Sequence, residues 1–221
     1  MDKRDDALAD RLAHVYWLGG GSGAGKSTIA RRLAVTYGLR LYDTDAAMAD
    51  HAARCRPQDC PSLTAFKGMS MDERWLNRSP AVMLETFHWF RGEGFDLIVE
   101  DLLALPTSQR IIVEGFRLLP LLVIPLLADR RQAAWLVPTP AFRLAAFASR
   151  GALLDIAGKT SAPERALDNL LQRDGLFTAR IEREARAAGL LVLGVDSSTG
   201  IDGLASRVAD RFGLRVLRSA E

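Results

Sequence analysis

The chain has 221 residues and a formal net charge of +2, from 29 basic and 27 acidic side chains. Apolar residues make up 48%, charged residues 25% and aromatics 7%, which is enough to bury a sizeable core and excludes wholesale disorder. The near balance of charge argues against non-specific nucleic-acid binding, and two cysteines are too few for a disulfide framework.

The first residues, Met-Asp-Lys-Arg-Asp-Asp, lack the apolar stretch of a signal peptide, and residues 2–13 read as a short polar helix or tail. Residues 15–18 form a compact apolar run ending in Gly19-Gly20-Gly21, the pattern of a buried strand. A helical pattern over 26–37 places Ile29, Leu33 and Tyr37 on one face and stops at Gly38. Residues 39–42 predict a second strand, closed by Asp43-Thr44-Asp45, so strand, turn, helix and strand fall within the length of one βαβ unit.

Residues 46–80, with Pro57, Pro61, Gly68 and Pro80, read as short helices and loops able to hold a substrate. Helical patterns follow at 81–91 and 95–105, broken by Gly92 and Gly94. Residues 110–115 predict a third strand with an acid at its end, 133–137 a fourth stopped by Pro138, and 190–195 a fifth. The segment 141–187 is Arg-rich and helical, and a last helix is expected over about 201–212. The longest apolar run, 118–128, is about half a membrane span and carries Pro120 and Pro125, so the expectation is a soluble cytoplasmic protein with no membrane partner. The alternation of strands and helices points to an α/β fold with a parallel sheet in three layers.

The most specific signal is Gly20-Gly21-Ser22-Gly23-Ala24-Gly25-Lys26-Ser27, followed by Thr28, which matches the G-x-x-x-x-G-K-[ST] phosphate-binding loop in full. Its glycines let successive backbone N–H groups turn toward an anion, and the following helix adds its N-terminal dipole. Lys26 is one of only four lysines beside 25 arginines; its ammonium reaches the β- and γ-phosphates, and the Ser27 hydroxyl is a Mg²⁺ ligand. The base-reading motif of GTPases and the signature sequence of transporter ATPases are absent, and the chain is too short for the helical second domain of an AAA+ motor.

With this loop, Asp43 and Asp45 after strand two, Glu114-Gly115-Phe116-Arg117 after strand three and the Arg-rich segment before strand five, residues 14–212 resemble the P-loop small-molecule kinases: nucleoside monophosphate, shikimate, gluconate and chloramphenicol kinases. The resemblance implies a single domain over 1–221 with a five-stranded parallel sheet in the order 2-3-1-4-5. It implies an acceptor-binding region at about 46–105 and a helical lid at about 141–187. The function it implies is ATP- and Mg²⁺-dependent phosphoryl transfer to a hydroxyl of a small-molecule substrate. A nucleoside monophosphate kinase, or a regulatory ATPase that phosphorylates nothing, is the alternative.

In shikimate- and gluconate-kinase-like proteins an acid after strand two touches Mg²⁺ or the acceptor hydroxyl, which makes Asp45 a candidate base and metal partner. Either Asp43 or Asp45 is equally suited to cap a helix starting at Ala46. Glu114 ends an apolar strand in the Walker B manner and is a candidate metal ligand or base. Glu114 to Arg117 is similar to the Asp-Gly-Phe-Pro-Arg segment of nucleoside monophosphate kinases, with Glu for Asp and no Pro, so Arg117 either holds an anionic acceptor or lies on a helix surface. Lid arginines in the family neutralise the transferring phosphoryl group; the candidates are Arg143, Arg150, Arg165, Arg173 and Arg180, with Arg150 and Arg173 foremost. Cys55 and Cys60, with His51 nearby, lack the ligand number and spacing of a zinc site and are read as free thiols. Trp75, Phe87 and Trp89 are read as core or acceptor-pocket wall.

Overall fold

A computed structural model describes residues 3–150 and 152–215. From the amino terminus, α1 (Lys3–Arg11) leads into β1 (Val15–Gly20), α2 (Lys26–Tyr37) and β2 (Arg40–Asp43). Four short helices follow: α3 (Met48–Arg54), α4 (Pro61–Gly68), α5 (Met71–Trp75) and α6 (Pro80–Thr86). Their boundaries have local causes. Pro61 and Pro80 occupy first-turn positions, Ser79 caps α6, and Ser70 forms a reciprocal capping box with Glu73 at the start of α5. The single helix expected over 81–91 is interrupted: Phe87 is extended, His88–Arg91 form a 3₁₀ turn, and Gly92 ends it at φ 85°. That break turns Trp89 and Phe90 inward, where both are buried.

Next come α7 (Phe95–Leu103), β3 (Ile111–Glu114), α8 (Pro120–Val123), β4 (Ala133–Pro138), α9 (Pro140–Arg150) and α10 (Ala152–Ala157). The chain closes with α11 (Pro163–Ala187), β5 (Leu191–Val195) and α12 (Ile201–Phe212). No helix among the described residues is long and apolar enough to cross a membrane.

The five strands form one all-parallel sheet in the order β2-β3-β1-β4-β5, as expected. Alternation along each strand divides the core. Trp17, Val113 and Trp135 face Ile98 and Leu102 of α7 and Phe177 and Ile181 of α11. Leu18, Ile112 and Leu136 face Ile29 and Leu33 of α2 and Leu204 and Val208 of α12. Helices therefore cover both faces, and the apolar strand sequences reflect burial on both sides. A third cluster joins Trp75, Met83, Leu153 and Ala157 to Ala166 and Leu170 of α11, beside the sheet.

This double attachment corrects the expected lid of 141–187. The first half of α11 belongs to the satellite cluster, but Phe177, Ile181 and Ala185 lie in the sheet core. Within the same segment, Phe142 of α9 packs on the core of the second sheet face, and Leu153 and Ala157 of α10 belong to the satellite cluster. Phe177 stacks on Phe90 with centroids 3.8 Å apart and planes 7° off parallel, which ties α11 to the break after α6. Phe177→Ala is expected to cost about 3–5 kcal/mol, read as a lower urea midpoint. A loss below about 1 kcal/mol would show that α11 is not anchored there.

Candidate functional site

Parallel pairing sets Leu18 of β1 beside Glu114 of β3, and Glu114 beside Asp43 of β2. The chain thus leaves β1, β2 and β3 at the same carboxyl edge, where ligands bind in open α/β sheets. After β1 it turns sharply, with Gly23 and Gly25 both at φ 79°, a left-handed conformation that costs glycine little. Gly25 precedes α2 and, as a glycine, adds no side-chain cap to its first turn. Lys26 is buried, and its Nζ donates to Gly21 O at 2.9 Å, which folds the ammonium back across the loop. The loop is held from outside as well. A methyl group on Gly21 would come within 2.6 Å of Thr178 Oγ1, and one on Gly23 within 3.4 Å of Ala146 Cβ.

Two acids face this ammonium. Glu114 is buried, and desolvation raises its pKa, while the neighbouring Ser27 hydroxyl and Lys26 charge act in the opposite direction. Asp45 lines the recess beside Ser22, where partial loss of water around its carboxylate raises its pKa and the Lys26 charge acts in the opposite direction. Asp43 has a different task. Its Oδ1 accepts the backbone N–H groups of Asp45 and Ala46, at 2.9 and 3.1 Å. The helix expected from Ala46 starts instead at Met48 without a side-chain cap, so Asp43 fixes the turn between β2 and α3 rather than capping a helix. Ser27, Asp45 and Glu114 together offer hard oxygen donors suited to Mg²⁺.

A buried knot holds the loop after β2 in place. Arg117 lies neither on a helix surface nor in an open anion site, as the two expected alternatives had it. It is almost fully buried; it donates to Thr44 O and Gly94 O, and its guanidinium lies 4.1 Å from the Trp89 ring centroid. Its Nη1 also donates to His51 Nδ1 at 2.8 Å. Because arginine only donates, His51 Nδ1 is the acceptor and the ring proton sits on Nε2, which donates to Asp101 Oδ2 at 2.8 Å. Tyr42 and Arg54 also donate to Asp101. Asp50, His51 and Asp101 have ligand atoms within 4.8 Å of one another, but Arg54 and Arg117 already supply the positive charge that a cation would bring. Gly115 packs so tightly that a Cβ would collide with Thr44 Oγ1.

Two clefts flank the loop. One, of about 350 Å³, is lined by Gly23, Thr28, Phe142, Thr199 and Ile201, between α9 and the β5–α12 turn. The other, of about 340 Å³, runs from Ser22 and Asp45 between aromatic walls to Arg173. Of the candidate arginines, Arg143 lies against the loop, with Cγ 3.6 Å from a methyl placed on Gly23. Arg165 is exposed, and Arg180 pairs with Glu184. Arg150 ends α9, but its side chain lies outside the described residues. Arg173 is not a free lid arginine: it is buried and paired with Asp174 inside the second cleft. Sequence reasoning did not single out the Thr178 contact, the His51–Asp101 pair or His88. Cys55 and Cys60 are free thiols.

A scan against protein-family models finds no match, and a search of the curated proteins finds none.

The Asp101 knot carries a pH signature. Burial works to raise the Asp101 pKa, but donation from Tyr42, Arg54 and His51 outweighs it and holds the value at about 2. A depressed carboxylate pKa stabilises the fold above the unfolded value, and that stabilisation fades as pH falls toward the folded value. Asp101→Asn is therefore expected to lose about 1–3 kcal/mol at pH 7 by urea denaturation. The gap from the wild type should narrow from about pH 5 down to about pH 2. A gap that is constant with pH would contradict the assignment.

Proposed function

We propose that this protein is an ATP- and Mg²⁺-dependent kinase of the P-loop small-molecule type, acting on a hydroxyl of its acceptor. The observation that carries the reading is the placement of Lys26, Ser27, Asp45 and Glu114 at one sheet edge, between two clefts that share the glycine-rich loop. In this reading the loop N–H groups and Lys26 hold the nucleotide phosphates. The cleft beside Thr28, Phe142 and Thr199 takes the adenine, and the cleft beyond Asp45 takes the acceptor.

Ser27 with Glu114 or Asp45 would hold Mg²⁺, which would supply charge neutralisation for the phosphates. Asp45 orients the acceptor hydroxyl and takes its proton as the hydroxyl oxygen bonds to the γ-phosphorus. The bond from that phosphorus to the bridging oxygen breaks, and ADP leaves. The raised pKa of Asp45 suits a proton acceptor better than an ordinary surface carboxylate does. Arg143, whose stem lies against the loop and whose guanidinium lies beside Gly175, is the lid arginine this reading assigns to charge on the transferring group. Arg117, with its donors engaged by Thr44, Gly94 and His51, is poorly suited to gripping a phosphorylated acceptor, which weighs against a nucleoside monophosphate kinase.

Three variants separate the roles. Lys26→Ala should abolish phosphoryl transfer and leave the fold intact, since it removes a charge-stabilising contact worth about 3 kcal/mol or more. Asp45→Asn should slow turnover on the order of a hundredfold or more with little change in ATP affinity. Glu114→Gln beside it shows which acid is the base: a near-normal Asp45→Asn with an inactive Glu114→Gln moves that role to Glu114. ATP turnover that no metabolite extract stimulates, with normal rates in both variants, would contradict the kinase reading and favour a regulatory ATPase.

A further inference from the structure

The second cleft says more about the acceptor, taking the kinase reading as its premise. Its walls include Phe66, Trp75, Phe87, Trp89 and Phe116, and Phe147 of α9 and Ile156 of α10 close it from above. At about 340 Å³ it lies at the small end of ligand pockets. Such walls offer flat apolar surface and few hydrogen-bonding groups, so a polyol would lose water from its hydroxyls without replacement.

Charge narrows the choice further. Arg173 is the one cationic side chain among the described residues lining the cleft. It is 6% exposed, and its Nε and Nη2 both donate to Asp174 Oδ1, at 2.9 and 2.6 Å. Its guanidinium lies 5.1 Å from the ring centroids of Trp75 and Phe87 and 5.2 Å from that of Phe90. Arg173 and Asp174 thus neutralise each other, and Asp45 lies under the influence of the Lys26 charge, so neither an anionic nor a cationic group on the acceptor finds an unpaired counter-charge among the residues lining the cleft.

One donor in this arrangement is unused. Arg173 Nη1 is shielded from solvent and has no hydrogen-bond partner among the described residues. The ring faces beside it are weak acceptors, so a full hydrogen bond from this nitrogen needs an oxygen or nitrogen lone pair. His88 Nδ1, in the same cleft, is likewise buried and without a partner among the described residues. Burial, with Arg117 and Lys67 nearby, draws the His88 pKa down to about 4, so its ring is neutral at physiological pH and adds no charge.

We propose that the acceptor is an uncharged alcohol with an aromatic or similarly flat apolar body, carrying besides its hydroxyl a neutral carbonyl-type oxygen that accepts from Arg173 Nη1. The aromatic walls hold the body, Asp45 addresses the hydroxyl, and the Arg173–Asp174 pair sets the orientation.

The test uses the full chain and four probes: 4-acetamidobenzyl alcohol, benzyl alcohol, gluconate and adenosine monophosphate. Trp75 and Trp89 line the cleft, so binding is read from quenching of tryptophan fluorescence without nucleotide. Both aryl alcohols should quench saturably, and the amide-bearing one should bind about tenfold tighter, the gain from one hydrogen bond to a charged donor. In Arg173→Lys, which keeps the charge beside Asp174 and removes the second nitrogen, the two aryl alcohols should bind alike. If that variant does not fold, the order of the four probes on the wild type decides. Absence of saturable quenching by the aryl alcohols, or tighter binding of gluconate or adenosine monophosphate, overturns the proposal.

Adding MgATP and following phosphate esters by ³¹P NMR separates this inference from its premise. Aryl alcohols that bind and are never phosphorylated uphold the cleft assignment and overturn the kinase reading. An ester formed only on gluconate or adenosine monophosphate upholds the kinase reading and overturns the acceptor class.

Discussion

Glu114 is register-paired with Leu18 on one side and Asp43 on the other, and that parallel alignment governs the arrangement of the site. It brings three chain exits to one edge, so a lysine at residue 26 and acids at residues 45 and 114 meet without a dedicated scaffold. The price is electrostatic. Glu114 and Lys26 are buried, and neither is comfortable alone. Their mutual attraction and the Ser27 hydroxyl offset part of the desolvation, and the raised pKa of Glu114 and of Asp45 records what is not offset.

The same edge needs a rigid surround, and buried polar contacts provide it. Arg117 joins the loop after β2, Gly94 before α7 and the Trp89 ring, while His51 relays it to Asp101 and Tyr42. Burial lowers the Arg117 pKa to about 10, still well above neutrality, so the charge remains and its partners are required. On the other side α11 works as a brace. Thr178 meets Gly21, Phe177 stacks on Phe90, and Arg173 with Asp174 reaches into the aromatic cleft. One helix therefore couples the loop to the aromatic cleft, while α9 lines both clefts and α10 the second.

The strands were legible because a parallel strand buried on both faces reads as a short apolar run between turn signals; all five lie within about two residues of the expected positions. The loop was legible because its residues are contiguous. The Arg117 knot was not, since His51 and Asp101 are fifty residues apart and each alone looks like a helix-surface residue. Arginines were hard to rank in a chain with 25 of them: Arg143, Arg173 and Arg180 share a segment, and only packing puts one at the loop, one in the cleft and one beside Glu184. The attachment of α11 to the sheet was not legible, because its helical pattern continues smoothly from the satellite cluster into the sheet core, with no break in sequence at the change of partner.

The central claim is that the loop between β1 and α2 receives nucleotide phosphates. Backbone amide shifts report this directly, because an amide that donates to a phosphate oxygen moves strongly downfield. Titrating the ¹⁵N-labelled protein with MgADP should shift the amides of Gly23, Gly25, Lys26 and Ser27 far more than those of α7 or β5, and the change should saturate. Amides of this loop that stay unmoved at saturating MgADP, or shifts confined to another face of the sheet, would contradict the account.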